Sequence, residues 1–320
     1  MRHFSILVKI GKIIQKCPLW LLQFIEIPFL RKIKNKIQPT PALIIFALPR
    51  SGSTVIFQTI CHALNVNYLS NLWNVFYQIP LIGGMLSYCA FKKYRSNFKS
   101  QNGFVTGLGG QAEGMRFWRW WLDCGLEDSD CHCITPRLRE KRVNYLRRIL
   151  ILLGDITQTP FATAYIGHIL VPDRVSNAFP GSILIRVRRD LAYNALSLLR
   201  AMQNSGQQWF SVRPDECKRQ EITTPHEQVA SQVYWLNRRL DEACCADSMV
   251  SIKYEDLCNN PQKVINKLQE YCALKGLIVS KKYKLPASLD KKKLKSSDKN
   301  DLIKIRVALS KLENKFGALK

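Results

Sequence analysis

The chain has 320 residues and a formal net charge of +24, with 48 lysines and arginines against 24 acidic residues. Hydrophobic residues make up 47% of the sequence, which is enough to bury a full core and argues against a mainly disordered protein. The charge predicts an anionic partner, such as nucleic acid, a phosphate-rich ligand, an acidic glycan or anionic lipid, without choosing among them.

The eleven cysteines are an odd, scattered set, whereas a secreted domain of this size more often carries an even, regularly spaced set. We therefore expect a reducing cytosol, with most of the thiols buried as small hydrophobic side chains. The group Cys124, Cys131, His132 and Cys133 does not have the usual spacing of zinc ligands, so we expect no metal.

Residues 1–38 are predicted to form a basic amphipathic N-terminal arm, in which Glu26 is the only acid. The apolar stretch Pro18–Leu30 is interrupted by polar residues and is too short to span a bilayer comfortably. It also lacks the small-residue cleavage site of a signal peptide. Two interpretations stay open: a peripheral element on the anionic inner face of a membrane, or a helix packed on the following domain.

The proline-containing segment Gln38–Pro41 predicts a stiff boundary before a main domain over residues 39–280. Residues 281–320 are predicted to be a lysine-rich segment, which includes Lys291–Lys293, and a C-terminal helix over 301–316. The apolar residues of that helix lie at helical spacing: Leu302, Ile305, Leu309 and Leu312.

Within the main domain, short apolar runs typical of buried strands alternate with helical patterns. The predicted strands cover 42–47, 182–187 and 249–254, and the predicted helices begin at residues 53, 191 and 261. Repeated β-then-α units predict an α/β fold, a three-layer sandwich with a central, mainly parallel sheet flanked by helices. Ligands bind such sheets at the carboxyl ends of the strands.

The loop Leu48–Thr54 follows the first strand and has the groups that bind an anion. Gly52 permits close backbone approach, and the start of the next helix presents unpaired N–H groups. The simpler interpretation is a serine-rich helix start in an ordinary βα turn. The side chains that could add hydrogen bonds or charge are Arg50, Ser51, Ser53 and Thr54.

This loop is not the common nucleotide-binding P-loop, which requires Gly-x-x-x-x-Gly-Lys-Ser/Thr. Leu48 stands four residues before Gly52, and Ser53 rather than lysine follows the glycine. The loop therefore suits a phosphate-bearing donor that is handled without a metal ion.

A second candidate phosphate site lies at the end of the strand over 182–187, where Arg189 and Asp190 follow. Ser197 comes eight residues after Arg189, two turns into the next helix, so the arginine and the serine can converge on one phosphate. In the alternative interpretation, Arg189 and Asp190 form a local ion pair and Ser197 is an ordinary helical residue.

Together these elements resemble the family of sulfotransferases that depend on 3′-phosphoadenosine-5′-phosphosulfate (PAPS). Pro49–Thr54 matches the family's Pro-Lys/Arg-Ser-Gly-Ser/Thr-Ser/Thr segment, which holds the 5′ phosphosulfate. Arg189, Asp190 and Ser197 match the segment that grips the 3′-phosphate, although Leu191 replaces its usual proline.

Further matches follow in the family's order, among them Tyr254–Leu257 before the helix-starting Pro261. Gln111–Trp118 resembles a Glu-x-x-x-Phe-Trp segment of the bacterial and carbohydrate-type branch. That branch often carries a helper lysine where this chain has Thr163–Tyr165. The resemblance implies a P-loop-like enzyme that transfers a sulfuryl group from PAPS to a hydroxyl of a small molecule, glycan or glycolipid, with no metal and no nucleic-acid partner.

For the chemistry we predict that Arg50 stabilises the leaving phosphate and that Glu113 is the base that accepts the acceptor's proton. Burial beside the following aromatic residues would raise the pKa of Glu113 and make it a better base. The alternatives are a simple surface pair of Glu113 with Arg116 and a histidine base, His168 or His226.

Two other functional classes are also compatible with the sequence. A P-loop-type nucleotide kinase would require the lysine and metal ligands that the loop lacks. A catalytically inactive protein that binds anions or membranes on the same fold would fit the strongly basic chain ends and the missing helper lysine.

Overall fold

We analysed a computed structural model that describes residues 13, 15–17, 19–30, 42–100, 103–290 and 298–319. The predicted boundary at Gln38–Pro41, the triple lysine Lys291–Lys293 and much of the basic arm lie outside the described residues.

The centre of the protein is a five-stranded sheet with the strand order β2-β3-β1-β4-β5, in which every neighbouring pair is parallel. The central strand β1 is buried along its whole length because helices cover both faces of the sheet. The strands are β1 (Ala42–Ala47), β2 (Asn67–Tyr68), β3 (Phe161–Ala164), β4 (Ile183–Arg188) and β5 (Val250–Lys253).

Thirteen α-helices lie within the described ranges, together with three short 3₁₀ helices over 128–131, 166–170 and 246–248. The α-helices are α1 (Leu19–Leu30), α2 (Ser53–Ala63), α3 (Asn71–Val75), α4 (Pro80–Phe91), α5 (Met115–Leu122), α6 (Pro136–Thr157), α7 (Pro172–Ala178), α8 (Leu191–Ser205), α9 (Asp215–Lys218), α10 (Pro225–Glu242), α11 (Tyr254–Asn259), α12 (Pro261–Leu274) and α13 (Asp298–Phe316).

The two faces of the sheet bury two separate hydrophobic clusters, so the predicted three-layer α/β sandwich is confirmed. Alternate residues of β1 contribute to opposite layers, because successive side chains of a strand point to opposite faces. Ala42, Ile44 and Phe46 pack with residues of α5, α6, α8 and α10. Leu43, Ile45 and Ala47 pack with residues of α2, α11 and α12.

The structure differs from the sequence-based expectation in several element bounds. The strand predicted over 249–254 ends at Lys253, because Tyr254 already begins α11. β2 and β3 were not predicted from the sequence; β2 has only two residues, and β3 has the sequence Phe-Ala-Thr-Ala. The C-terminal helix begins at Asp298, three residues earlier than predicted.

Both ends of the chain contribute packed helices in the described ranges. Helix α1 contacts α6, and α13 contacts α8 and α10. The predicted domain boundaries at residues 38 and 280 stay predictions. None of the helices in the described ranges has the length and apolarity that crossing a membrane requires.

Candidate active site

The loop between β1 and α2 is a tight turn built on the carbonyl of Leu48. The backbone N–H of Ser51 donates to this oxygen at 3.1 Å, and the Ser51 hydroxyl donates to it at 2.8 Å. Arg50 has a φ of 64°, a left-handed conformation that is uncommon for any residue other than glycine. Ser51 therefore stabilises the turn through two hydrogen bonds to one carbonyl.

Helix α2 begins after Gly52, which has a φ of 104° and therefore suits glycine. A Cβ at this position would lie 2.7 Å from Cε2 of Tyr254, so a side chain does not fit there. The residue at the N-cap position is Gly52, which has no side chain to cap the helix, and this differs from the serine-capped start of the simpler interpretation. The first N–H groups of α2 are consequently open to an anion.

Arg189, at the end of β4, reaches across to the same loop. One of its guanidinium nitrogens donates to the carbonyl of Arg50 at 2.7 Å, and the guanidinium lies 4.7 Å from the centre of the Tyr254 ring. Asp190 instead accepts a hydrogen bond from the N–H of Tyr193 and lies 3.7 Å from Arg306. The structure thus brings Arg189 to the loop rather than into a local pair with Asp190.

Helix α8 also touches the loop, through a residue that the sequence analysis missed. The side-chain amide of Asn194 donates to the carbonyl of Pro49 at 2.5 Å. Ser197 lies three residues further along α8, half-buried, and therefore on the same side of the helix as Asn194. No sequence signal had distinguished Asn194 from an ordinary polar helical residue.

Glu113 lies just before α5, whose start is set by Gly114 at a φ of 74°. It is therefore not on the helix surface beside Arg116, and no ion pair joins these two described residues. An ideal Cβ on Gly103 would lie 3.6 Å from Oγ1 of Thr54 and 3.7 Å from Oε1 of Glu113. Thr54 and Glu113 thus flank one glycine, and the hydroxyl of Thr54 donates to its carbonyl.

Burial raises the pKa of Glu113 to about 7, and the positive charge of Arg50 opposes this rise. The pKa of Arg50 is lowered by burial and by the nearby charge of Arg189, while Glu113 acts in the opposite direction. Nε of both arginines is buried and has no hydrogen-bond partner among the described residues. Two such guanidinium groups beside an open helix N-terminus fit an anionic ligand.

Tyr165 is a second residue that the sequence analysis did not assign to the site. It follows β3, the parallel neighbour of β1, and lies where the helper lysine of related sequences was expected. Its buried hydroxyl has no partner among the described residues, and burial raises its pKa, with smaller contributions in the same direction from Cys124, Cys131 and Glu113. The ring packs over Gly167, where a Cβ would lie 2.8 Å from Cζ of the tyrosine.

The two alternative histidines lie in different surroundings. His168 is fully buried against the rings of Trp118 and Tyr165, and burial lowers its pKa to about 3. It is consequently neutral at pH 7. His226 lies near the start of α10 and forms a 2.8 Å contact with Asp301 of α13, which links two helices.

The aromatic residues of α5 belong to the core. Phe117, Trp118 and Trp121 are fully buried in the larger hydrophobic cluster, while Trp120 is covered by the guanidinium of Arg142 at 4.2 Å. Among the described residues, no group of three or more histidine, cysteine, aspartate or glutamate side chains could hold a metal ion.

The sequence of the chain matches the sulfotransferase family over residues 41–277, from the start of β1 to beyond the end of α12. The protein therefore belongs to the sulfotransferase family. No curated protein matches it.

Solved structures of bacterial sulfotransferases resemble the chain at low sequence identity. A sulfotransferase from Mycobacterium avium is 14% identical, with 89% of this chain and 70% of that chain covered and a TM-score of 0.49. One from Mycobacterium tuberculosis is 11% identical, with coverages of 94% and 82% and a TM-score of 0.49. One from Alicyclobacillus acidocaldarius is 15% identical, with coverages of 87% and 96% and a TM-score of 0.39.

Proposed function

We propose that the protein is an enzyme that transfers a sulfuryl group from PAPS to a hydroxyl acceptor without a metal ion. One observation carries the proposal: Arg50 and Arg189 meet at the open N-terminus of α2, with the half-buried carboxylate Glu113 near Arg50. This arrangement combines groups that attract the anionic phosphosulfate of the donor with a base whose pKa lies near neutrality.

The loop residues would hold the 5′ phosphosulfate of the donor. Arg50 supplies a permanent, forked charge, and the helix start supplies N–H donors. The remaining loop residues in this role are Ser51, Gly52, Ser53 and Thr54. Since both the N–H and the hydroxyl of Ser51 donate to Leu48, its contribution would be to shape the loop.

Arg189 and Ser197 would hold the 3′-phosphate, the group that distinguishes this donor from ordinary adenosine phosphates. Arg189 is braced by the carbonyl of Arg50 and by the ring of Tyr254, so little side-chain freedom remains to be lost on binding. Ser197 shares a side of α8 with Asn194, which contacts the loop.

In the reaction, Glu113 would accept the proton of the acceptor hydroxyl as its oxygen forms a bond to sulfur. The bond between sulfur and the phosphate oxygen breaks, and the electron pair leaves with the phosphate. Arg50 would neutralise the charge that develops on this leaving group. Arg50 acts through its charge alone, because a guanidinium does not give up its proton in a protein.

The favoured acceptor is a hydroxyl of a glycan or glycolipid, and the favoured location is the cytoplasm, at the inner face of a membrane. This part of the proposal is supported by the resemblance to carbohydrate-type sequences and by the net charge of +24, which suits an acidic or membrane-bound acceptor. The scattered, odd set of cysteines favours a reducing compartment.

Donor use is tested by the transfer of labelled sulfate from PAPS to a panel of lipid-linked and polysaccharide acceptors with the purified full chain. We expect transfer by the wild type and transfer that is slower by about 10²–10³-fold in Arg50→Ala. Absence of transfer with intact binding of the desulfated nucleotide would instead indicate an inactive anion-binding protein.

The 3′-phosphate site is tested by calorimetric binding of 3′-phosphoadenosine 5′-phosphate. Arg189→Ala is expected to weaken binding about tenfold to a hundredfold, the value of a charge-assisted hydrogen bond. Arg188→Ala is the matched control, because it removes the same charge from the adjacent residue, whose guanidinium bonds Ser251 on β5. Equal effects of the two substitutions would contradict the assignment of Arg189.

A further inference from the structure

Helix α1 buries its charged side chain and exposes its large apolar side chains, the opposite of a usual surface helix. Its only charged side chain, Glu26, is fully buried against the protein. Phe24 is 72% exposed and Ile25 is 52% exposed. The exposed side chains form what we call the apolar face of α1: Leu21, Phe24, Ile25, Ile27 and Phe29.

The orientation of α1 is set by hydrogen bonds on its buried side. One carboxylate oxygen of Glu26 accepts the N–H of Ile82 at 2.9 Å, and the other accepts the hydroxyl of Tyr145 at 2.7 Å. The guanidinium of Arg148 donates to the carbonyl of Leu30 at 2.8 Å. Rotating the helix to bury its apolar face would leave these groups without partners, which is costly in a protein interior.

A helix that is bound through its polar residue and exposes its large apolar residues requires an apolar partner, because proteins rarely leave such a patch in water. A 12-residue helix is about 18 Å long, whereas the hydrocarbon core of a bilayer is about 30 Å thick. The helix therefore has the length to lie in the plane of a membrane interface and not to cross it.

The charges around α1 indicate which kind of partner its apolar face contacts. Glu26 is the only acidic residue among residues 1–112, and it faces inward, so no carboxylate from this part of the chain opposes an anionic surface. Lys16 before the helix is exposed, and Arg31, Lys32 and Lys34 follow it in sequence. A second copy of this chain, with its own charge of +24, would be repelled, whereas anionic lipid headgroups would be attracted.

We propose that the apolar face of α1 inserts into the interfacial region of an anionic bilayer, with the helix parallel to the membrane plane. The catalytic domain would thereby be held at the surface through the hydrogen bonds of Glu26, Tyr145 and Arg148. The arm would then be both a peripheral membrane element and a helix packed on the domain, since one side of α1 contacts the domain and the other contacts lipid.

The test is co-sedimentation of the full chain with vesicles of phosphatidylcholine plus phosphatidylglycerol, and with vesicles of phosphatidylcholine alone. Wild-type protein is expected to bind the anionic vesicles, with weaker binding at high salt. The double substitution Phe24→Ser/Ile25→Ser is expected to weaken this binding at least about tenfold, because it removes two large apolar side chains from the lipid.

The matched control is Leu274→Ser/Ile278→Ser, which changes two apolar residues that are 85% and 87% exposed near the end of α12. This variant is expected to bind like the wild type. As a direct probe, Phe24→Trp is expected to show a blue-shifted tryptophan emission on the anionic vesicles, as the new side chain enters an apolar environment.

Three results would overturn the proposal: unchanged binding of the Phe24→Ser/Ile25→Ser variant, equal binding to neutral and anionic vesicles, or a wild-type dimer that this variant dissociates in light scattering. The last result would assign the face to a second copy of the chain. Vesicle binding does not require PAPS, so its outcome is separable from the outcome of the sulfate-transfer assay. Native circular dichroism of the variant verifies that its fold is retained.

Discussion

Glu26 in α1 and Glu113 before α5 are the first two acidic residues of the chain, and burial raises the pKa of each to about 7. Their surroundings are otherwise different. Glu26 accepts hydrogen bonds from Ile82 and Tyr145, so both of its oxygens are occupied. Glu113 accepts no hydrogen bond from the described residues, and the charge that acts on it is that of Arg50.

The comparison shows that a raised pKa reports burial and does not by itself identify a catalytic group. A base must have an oxygen available for the substrate's proton. Glu113 meets that requirement near Arg50. Both oxygens of Glu26 instead accept hydrogen bonds that hold α1 against α4 and α6. The following experiments separate the two carboxylates, or show that they are equivalent.

The largest effect is expected for Glu113→Gln, which keeps the shape of the side chain but cannot accept a proton. The kcat for sulfate transfer should fall about 10²–10⁴-fold, the usual contribution of general base catalysis. Glu26→Gln is the matched control and should retain the wild-type kcat, because Glu26 contacts helices rather than the loop. Equal losses in the two variants, measured with labelled sulfate, would remove the distinction between the two carboxylates.

Arg50→Ala should lower kcat about 10²–10³-fold, through the loss of charge stabilisation at the leaving phosphate. It should also change the pH profile. Wild-type activity should rise as Glu113 loses its proton at a pH of about 7. Because the charge of Arg50 lowers the pKa of Glu113, the residual activity of Arg50→Ala should rise at a higher pH.

Arg50→Lys provides the control for this pH shift, because it keeps a positive charge while losing the forked geometry of the guanidinium. Its pH profile should stay close to that of the wild type, although its kcat should fall. A profile that is unchanged in Arg50→Ala would show that Arg50 does not act on Glu113.

Glu26→Ala should lower the free energy of unfolding by about 2 kcal/mol, because the N–H of Ile82 and the hydroxyl of Tyr145 lose their buried partner. Urea unfolding measures this change. The same variant should retain its kcat at temperatures where it is folded. Wild-type stability in Glu26→Ala would show that α1 is held by its apolar contacts alone.

The stability that Glu26 contributes should also depend on pH. Its folded-state pKa of about 7 lies above its ordinary value of 4.5, so the folded protein binds the proton more tightly. This contribution is fully present below pH 4.5 and is lost as the pH rises through about 7. As the pH rises from about 4.5 through about 7, the unfolding free energy of the wild type should therefore fall relative to that of Glu26→Gln. A constant difference between the two proteins would contradict the raised pKa.

The smallest effect is expected for Tyr165→Phe, which removes only a hydroxyl that has no partner among the described residues. Sulfate transfer should fall about tenfold if that hydroxyl orients the acceptor near Glu113, with no loss of stability. Tyr145→Phe is the matched control, since it breaks the bond to Glu26 and should lower stability without changing kcat. The reverse pattern would exclude Tyr165 from the site.

Local sequence was sufficient to predict a strand or helix where one segment contains both its apolar pattern and the residues that end it. The continuous apolar run over 42–47 and the Pro-Arg-Ser-Gly turn after it predicted β1 and the start of α2 at their observed positions. β3 was not predicted, because Phe161–Ala164 has no strong strand pattern of its own and is a strand through its pairing with β1 and β2.

The sequence by itself also predicted an apolar stretch between basic residues with Glu26 as its only acid, and the structure forms α1 there. Only the tertiary structure decided that Arg189 and Asn194 contact the loop, because the end of β4 and the helix α8 had to come together with it at one edge of the sheet. It also decided which side of α1 faces outward. Within the described ranges, the hydrogen-bond partners of the Glu26 carboxyl lie on the packed helices α4 and α6, and satisfying that buried polar group turns the apolar side chains away from the protein.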